Sequence, residues 1–328
     1  MKIRALILAA AIAVALIPAP SNAATSLTVG VAYDIGGRGD KSFNDASAAG
    51  LDKAQKQFDF KLEAVVTDGT SADREKRIRS LITKNCNPII AIGSGYASTL
   101  QALAIEYPNT QFAIINDASV AALNVTSVVF ANTQGAYLAG FSAAQLSKSG
   151  KVAMIANSDQ ADMYKDGFSA GVFASKKKVI PIVNYVSGSY SVAANQVLDA
   201  GADVVFVATQ GSDSEVFKVI VARNAKKKAS NIGLINVEPD QYITVTSATK
   251  KFLFASVIKR VDKAIFDIIA LSTAKKQYLD ILDSEAGIYG RRYGITGGGI
   301  EFTIRSKQLA ALSDSINIAA ATAEKIPA

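Results

Sequence analysis

The chain has 328 residues, with 35 Lys+Arg against 28 Asp+Glu, one cysteine, no histidine and no tryptophan. Without histidine there is no Ser-His-Asp or Cys-His nucleophile pair, and a single cysteine allows neither an internal disulfide nor a Cys/His zinc site. Apolar residues at 49% and charged residues at 19% describe a globular chain with ample material for a core, not a disordered one.

At the N-terminus Lys2 and Arg4 precede thirteen apolar residues, Ala5 to Ile17, then Pro18, Pro20 and the small-residue site Ser21-Asn22-Ala23. This is the order of a secretory signal peptide over residues 1–23, with a mature chain expected from near Ala24. The apolar run falls short of the ~20 residues a membrane helix needs, and no later segment supplies one, so no membrane span is expected. Losing Lys2 and Arg4 lowers the formal charge from +7 to +5, a weak basis for a nucleic-acid partner, and none is expected. The clusters Lys176-Lys177-Lys178 and Lys226-Lys227-Lys228 read as solvated helix ends.

Apolar, β-rich runs follow at Leu27–Tyr33, Leu62–Val66, Ile89–Ile92, Phe112–Ile115 and Val125–Phe130. A second series lies at Val152–Ile155, Val179–Val186, Val204–Val207, Ile232–Val237 and Phe252–Ile258. Runs of this kind, bounded by Gly, Asn and Asp, predict strands buried on both faces. Helical patterns separate them. Thr70-Ser71-Ala72-Asp73 opens one as a capping box, with Ile78, Leu81 and Ile82 as its stripe. Pro108 closes another, and Val261, Ile265, Ile268 and Ile269 form a third amphipathic face. Alternating β and α predicts right-handed βαβ units in two α/β lobes with mostly parallel sheets. Ligands of such sheets sit beyond the carboxyl ends of the strands, so two facing lobes make a cleft.

After the first strand comes Asp34-Ile35-Gly36-Gly37-Arg38-Gly39-Asp40-Lys41-Ser42-Phe43-Asn44-Asp45. A phosphate loop is excluded because Asp40, not Gly, precedes Lys41-Ser42. The dinucleotide fingerprint fails as well, since Gly37 and Gly39 are followed by Ser42. The glycines fit a turn, with Asp40 or Ser42 capping the next helix. A turn does not explain Phe43 and Asn44, an aromatic ring and an amide placed at the first helical turn beside the cleft.

The same segment resembles the basic-membrane-protein (BMP) family of bacterial solute-binding proteins, particularly its purine-nucleoside-binding lipoproteins. The resemblance continues through Tyr107-Pro108-Asn109, Tyr137-Leu138-Ala139-Gly140-Phe141, Gly167-Phe168-Ser169-Ala170-Gly171, Gly201-Ala202-Asp203, Asp240-Gln241-Tyr242 and Ser256-Val257-Ile258-Lys259-Arg260. It implies an α/β class and a type I periplasmic-binding-protein fold: two doubly wound parallel-sheet lobes joined by three crossovers. The N-terminal lobe is then expected over 24–130 plus about 259–288, and the C-terminal lobe over 131–258 plus about 289–328.

Carried over residue by residue, the resemblance implies a ligand site made of Asp34, Phe43, Asn44, Asp117, Tyr190, Gly211, Glu238 and Lys259. Phe43 would stack on a purine, Asn44 and Asp117 would bond its edge, and Tyr190 would close the other face of an aromatic clamp. Glu238 and Lys259 would hold the ribose hydroxyls as acceptor and donor. Read without the resemblance, Phe43 rather staples its helix and Asp117 caps the next turn, whereas the alternative of Glu238 and Lys259 as a surface pair near the hinge is disfavoured by their place after strands at the cleft end. The chain also departs from the family pattern. Its leader has no Cys for a lipid anchor. Glu238 replaces a shorter Asp, Gln210-Gly211 and Asp213 replace a more Gly-rich loop, and Asp159 and Tyr164 stand where relatives often show Pro and Phe.

The function implied is a monomeric periplasmic or extracellular binding protein, not lipid-anchored. It would capture a nucleoside, purine expected, and pass it to an ABC-transporter permease, with no cofactor, no metal and no catalysis of its own. The alternatives are a carboxylate-based nucleoside hydrolase using Asp34, Asp40 and Asp45, and a surface receptor reading Arg38-Gly39-Asp40.

Overall fold

The apolar runs are strands. The computed structural model describes residues 27–157, 161–209, 213–226 and 231–327. The expected leader, Gly211, Asp159 and two lysines of the second basic cluster, Lys227 and Lys228, lie outside the described residues.

The first half runs β1 (Thr28–Tyr33), α1 (Phe43–Gln55), β2 (Lys61–Val66), α2 (Ser71–Thr83), β3 (Ile89–Ile92), α3 (Ala97–Glu106), β4 (Phe112–Ile115), β5 (Val125–Phe130) and α4 (Asn132–Leu146). Next come β6 (Lys151–Ala156), α5 (Ala161–Ala174), β7 (Ile180–Tyr185), α6 (Tyr190–Asp199), β8 (Val204–Ala208), α7 (Asp213–Lys226), β9 (Gly233–Val237) and α8 (Ser247–Lys250). The last part holds β10 (Leu253–Lys259), α9 (Val261–Thr273), β11 (Asp280–Asp283), β12 (Ile288–Tyr293), β13 (Ile300–Ile304), α10 (Lys307–Ala310) and α11 (Ser313–Ala323).

These strands form a seven-stranded sheet in the order β11-β12-β5-β4-β3-β1-β2 and a six-stranded sheet in the order β13-β10-β9-β8-β6-β7. All pairings are parallel except β11 with β12 and β10 with β13. The chain crosses between sheets three times: after β5, after β10 and after β12. Because β12 pairs with β5 in the first sheet, the third crossing follows Tyr293, a little later than the break expected near 288.

Period-two alternation operates inside runs that are apolar throughout, because both sheet faces are covered. Val29, Val31 and Tyr33 of β1 pack with Leu51 of α1 and Ile265 of α9, whereas Ala32 turns to the layer holding Ile78 of α2 and Leu100 of α3. Val152 and Met154 of β6 meet Phe168 of α5, while Ala153 and Ile155 face Val197 of α6 and Phe217 of α7. Ile78 and Leu81 of the predicted α2 stripe are buried, and the Thr70 hydroxyl caps that helix by accepting from the Asp73 amide at 3.2 Å. Asp73 does not return the bond to Thr70; its carboxylate accepts from the Asp68 amide instead. Lys176, Lys177 and Lys178 are exposed just past α5, as a solvated helix end requires.

The motifs around Gly140 and Gly171 have a steric cause. α4 and α5 cross so closely that a Cβ on Gly140 would lie 2.0 Å from the Phe168 carbonyl oxygen, and one on Gly171 would lie 2.0 Å from that of Tyr137.

Candidate functional site

The loop from Asp34 to Ser42 is shaped by its own polar groups. Gly36, Gly37 and Gly39 all take positive φ, which a Cβ would oppose. The Asp40 carboxylate accepts from the amides of Ser42 (2.8 Å), Asn44 (3.0 Å) and Asp45 (3.0 Å), so Asp40 caps α1. Ser42 makes no side-chain cap bond. Its hydroxyl crosses to the other lobe and donates to Glu238 Oε2 at 3.5 Å. The helix N-terminus is therefore filled by the protein's own carboxylate, consistent with the exclusion of a phosphate loop.

Asp34, Asp40, Ser42, Phe43, Asn44, Asn116 and Glu238 are among the residues lining a cavity of about 220 Å³. Larger clefts of about 460 and 500 Å³ flank it, and Lys41 and Ser42 line both. The cavity sits where the carboxyl ends of β1, β3, β4 and β9 converge, as open α/β sheets dictate.

Four of the residues expected at the site, Asp34, Phe43, Asn44 and Glu238, share this cavity. Lys259 adjoins them: its ammonium lies 5.7 Å from the Phe43 ring centre and 5.6 Å from that of Tyr164, and it donates to Asn116 Oδ1 at 3.4 Å. Glu238 and Lys259 are each 1% exposed, so they are not the surface pair that one sequence reading allowed. Asp34 gives one oxygen to Arg74 at 2.8 Å, and its other faces Gly93, where a Cβ would approach to 3.2 Å.

Other expected site residues make local bonds. The Asn44 amide accepts from the Asp34 backbone N–H at 3.1 Å and donates to the carbonyls of Asp34 and Ile35, each at 3.3 Å. These bonds hold the loop. The Asp117 carboxylate accepts from the Ser119 amide and hydroxyl at 2.8 and 2.7 Å, a local turn; its neighbour Asn116 is the residue that faces Lys259. Tyr190 opens α6, packs on the outer core of its lobe and donates its hydroxyl to Asn157 Oδ1 at 3.1 Å, and it is not among the residues lining the Phe43 cavity.

The sequence reading did not assign Asp40, Ser42 or Asn116 to the site, although each sits within a few residues of one that it did. Nor did it assign Asp213, which opens α7 directly beyond the end of β8. Asp213 is 2% exposed, and its carboxyl accepts from the Thr209 hydroxyl. Burial raises its pKa, with Thr209 pulling the other way. Burial first and the Asp213 charge second raise that of Glu238, against the pull of Lys259. Burial lowers the pKa of Lys259, and Glu238 opposes this. The three form one electrostatic cluster on the second lobe.

The residues named for the two alternative functions are engaged within the protein, and neither alternative is favoured. Asp34 pairs with Arg74, Asp40 caps α1, and Asp45 accepts from the amides of Gly39 (2.6 Å) and Lys41 (2.9 Å). Among the described residues no group of three or more His, Cys, Asp or Glu could hold a metal ion. Of the Arg38-Gly39-Asp40 tripeptide, Arg38 is bound to Asp52 at 2.6 Å and Asp40 is the cap.

A family model described as "ABC transporter substrate-binding protein PnrA-like" matches residues 27–325. The chain belongs to this family, Bmp. The "CD4+ T-cell-stimulating antigen" of Listeria innocua is 30% identical over 268 residues, covering 75% of this chain and 74% of that protein. The "ABC transporter nucleoside-binding protein BmpA" of Lactococcus lactis is 28% identical over 261 residues, 74% of each. Among solved structures, an ABC transporter solute-binding protein from Aeropyrum pernix superposes with a TM-score of 0.67 at 20% identity, covering 91% of this chain and 86% of that one. One from Conexibacter woesei gives 0.66 at 18%, covering 91% and 98%. The structural likenesses carry the fold alone, the type I periplasmic-binding-protein fold. As a Bmp protein the chain is an extracytoplasmic substrate-binding component of an ABC transporter, with a small-molecule ligand and a transporter partner. Among the described residues no helix is long and apolar enough to cross a membrane.

Proposed function

We propose that this Bmp protein captures a nucleoside, with a purine base, between its two lobes and hands it to the permease of an ABC importer. The observation that carries the reading is the cross-cleft set: an aromatic ring, Phe43, on one lobe opposite a buried carboxylate and ammonium, Glu238 and Lys259, on the other. A flat base stacks on an aromatic ring for ~1–3 kcal/mol. Vicinal hydroxyls match an acceptor beside a donor, and Glu238 Oε1 has no hydrogen-bond partner among the described residues. The name of the Lactococcus relative supports the same ligand class.

The cavity of about 220 Å³ lies below the roughly 300–1,000 Å³ of typical small-molecule sites. Entry of a nucleoside therefore requires the Ser42–Glu238 contact to part and Lys259 to leave the space between Phe43 and Tyr164. Ligand and Lys259 then exchange places against the Phe43 face.

Native mass spectrometry of protein purified without added ligand, followed by titration with purine and pyrimidine nucleosides, tests the reading. A co-purified or added purine nucleoside bound one to one is the expected result. Failure of every nucleoside to bind would overturn it.

A further inference from the structure

Asp213 and Glu238 are buried carboxylates with unequal company. Glu238 feels the attraction of Lys259, whereas no cation among the described residues is close enough to act on Asp213. Asp213 Oδ1 is held by the Thr209 hydroxyl, the Gln241 side chain and the Thr209 backbone are further polar neighbours of the carboxylate, and Oδ2 has no hydrogen-bond partner among the described residues. Its adjacent residues Gln210, Gly211 and Ser212 carry no charge.

Partial compensation comes from the N-terminus of α7, which Asp213 opens. Asp213 lines the cleft of about 500 Å³, which shares Asp40 and Ser42 as a wall with the Phe43 cavity. The charged groups facing that cleft are Asp40, spent on capping α1, and Lys41 and Lys218, both exposed at its rim. On the cavity side stand Glu238 and Lys259, and Lys259 is the one buried cation against two buried carboxylates among these residues. An isolated buried carboxylate is costly, and it is made good by a proton or by a cation that arrives with the ligand.

We propose that Asp213 is a specificity-determining residue of the cleft. With Glu238 it selects a solute that presents a positively charged nitrogen beside its sugar hydroxyls, and it rejects the phosphorylated form of the same solute. The inference rests on the nucleoside reading for the shape of the ligand, not for its charge. The ammonium of such a ligand donates to the free Asp213 oxygen as Lys259 and the hydroxyls engage Glu238. A phosphate at that place would meet two carboxylates within a low-dielectric wall.

The test titrates wild type and Asp213→Asn with three probes: adenosine, its analogue with an amino group replacing the terminal sugar hydroxyl, and adenosine monophosphate. Wild type is expected to bind the amino analogue about tenfold or more tighter than adenosine, the effect of one charge-assisted hydrogen bond, and to bind the monophosphate weakest. Asp213→Asn should lose the preference for the amino analogue, and Asp213→Glu should keep it. Equal affinity for adenosine and the amino analogue in wild type, or a preference that survives Asp213→Asn, would overturn the proposal.

Should no nucleoside bind, the nucleoside reading fails, and ligand-free melting curves decide the charge claim separately. A carboxyl whose folded pKa is raised loses stability as pH rises, so wild type should weaken relative to Asp213→Asn as pH rises from 3.8 through about 6. Divergence of the two curves supports an incompletely compensated carboxylate at Asp213, and parallel curves refute it.

Discussion

At the residue scale, Phe43 and Glu238 carry the most testable claims. Phe43→Ala should weaken purine-nucleoside binding by about tenfold to a hundredfold, the value of one base–aromatic stack. If the ring merely stapled α1 into its lobe, the melting temperature would fall with affinity unchanged; calorimetric titration beside thermal melts separates these outcomes. Burial and then Asp213 raise Glu238 above its ordinary 4.5. A raised folded-state value means that its contribution is complete below pH 4.5 and is lost as pH rises through the folded value. Lys259, lowered from 10.5, has the opposite sign: its contribution is present above that value and is lost as pH falls through the folded one. Glu238→Gln should therefore flatten the decline in ligand-free stability above pH 4.5, read from melts across pH. An unchanged slope would show that Glu238 is not the group responsible. The buried placement of Glu238 and Lys259 was legible because each stands at the end of an apolar run. Asn44 and Asp117 bond locally, which sequence did not show, for a shared reason: short amides and carboxylates at strand ends are as well suited to bonding nearby backbone as to meeting a ligand.

At the element scale, the ten apolar runs became strands within a residue or two; most are central parallel strands, which leave no polar position to blur the signal, while β2 and β7 close sheet edges. β11, β12 and β13 were not legible. Asp280-Ile281-Leu282-Asp283 and Ile288-Tyr289-Gly290-Arg291-Arg292-Tyr293 mix charges with apolar residues, as strands near sheet edges do, and their pairing is fixed by distant partners such as β5 and β10. The glycines of α4 and α5 were legible only as family motifs; their physical meaning needs the crossing. Gly171→Ala should cost about 1–3 kcal/mol through overpacking, since its methyl would overlap the Tyr137 carbonyl, and so lower the denaturation midpoint in urea. A midpoint equal to that of wild type would mean that the two helices can separate without loss.

At the scale of the whole molecule, two sheets joined by three crossings put Phe43 and Asp34 on one side of a cleft and Glu238, Asp213 and Lys259 on the other. The lobes already touch through Ser42 and Glu238, and Lys259 lies against Phe43, so the protein's own groups hold the ends of the site together. A ligand that contacts both lobes gains interactions that separated lobes do not offer, which shifts the population toward closure around it. The central claim is that a base and its sugar are held together, the base by Phe43 and the sugar by Glu238 and Lys259. A free base would leave that buried carboxylate and ammonium unpaired, at about 1–3 kcal/mol or more for charged groups. The most direct measurement is the calorimetric affinity of the protein for inosine against hypoxanthine. Binding of the nucleoside at least about tenfold tighter than the base is the expected result. Equal affinities would contradict the assignment of Glu238 and Lys259 to the sugar.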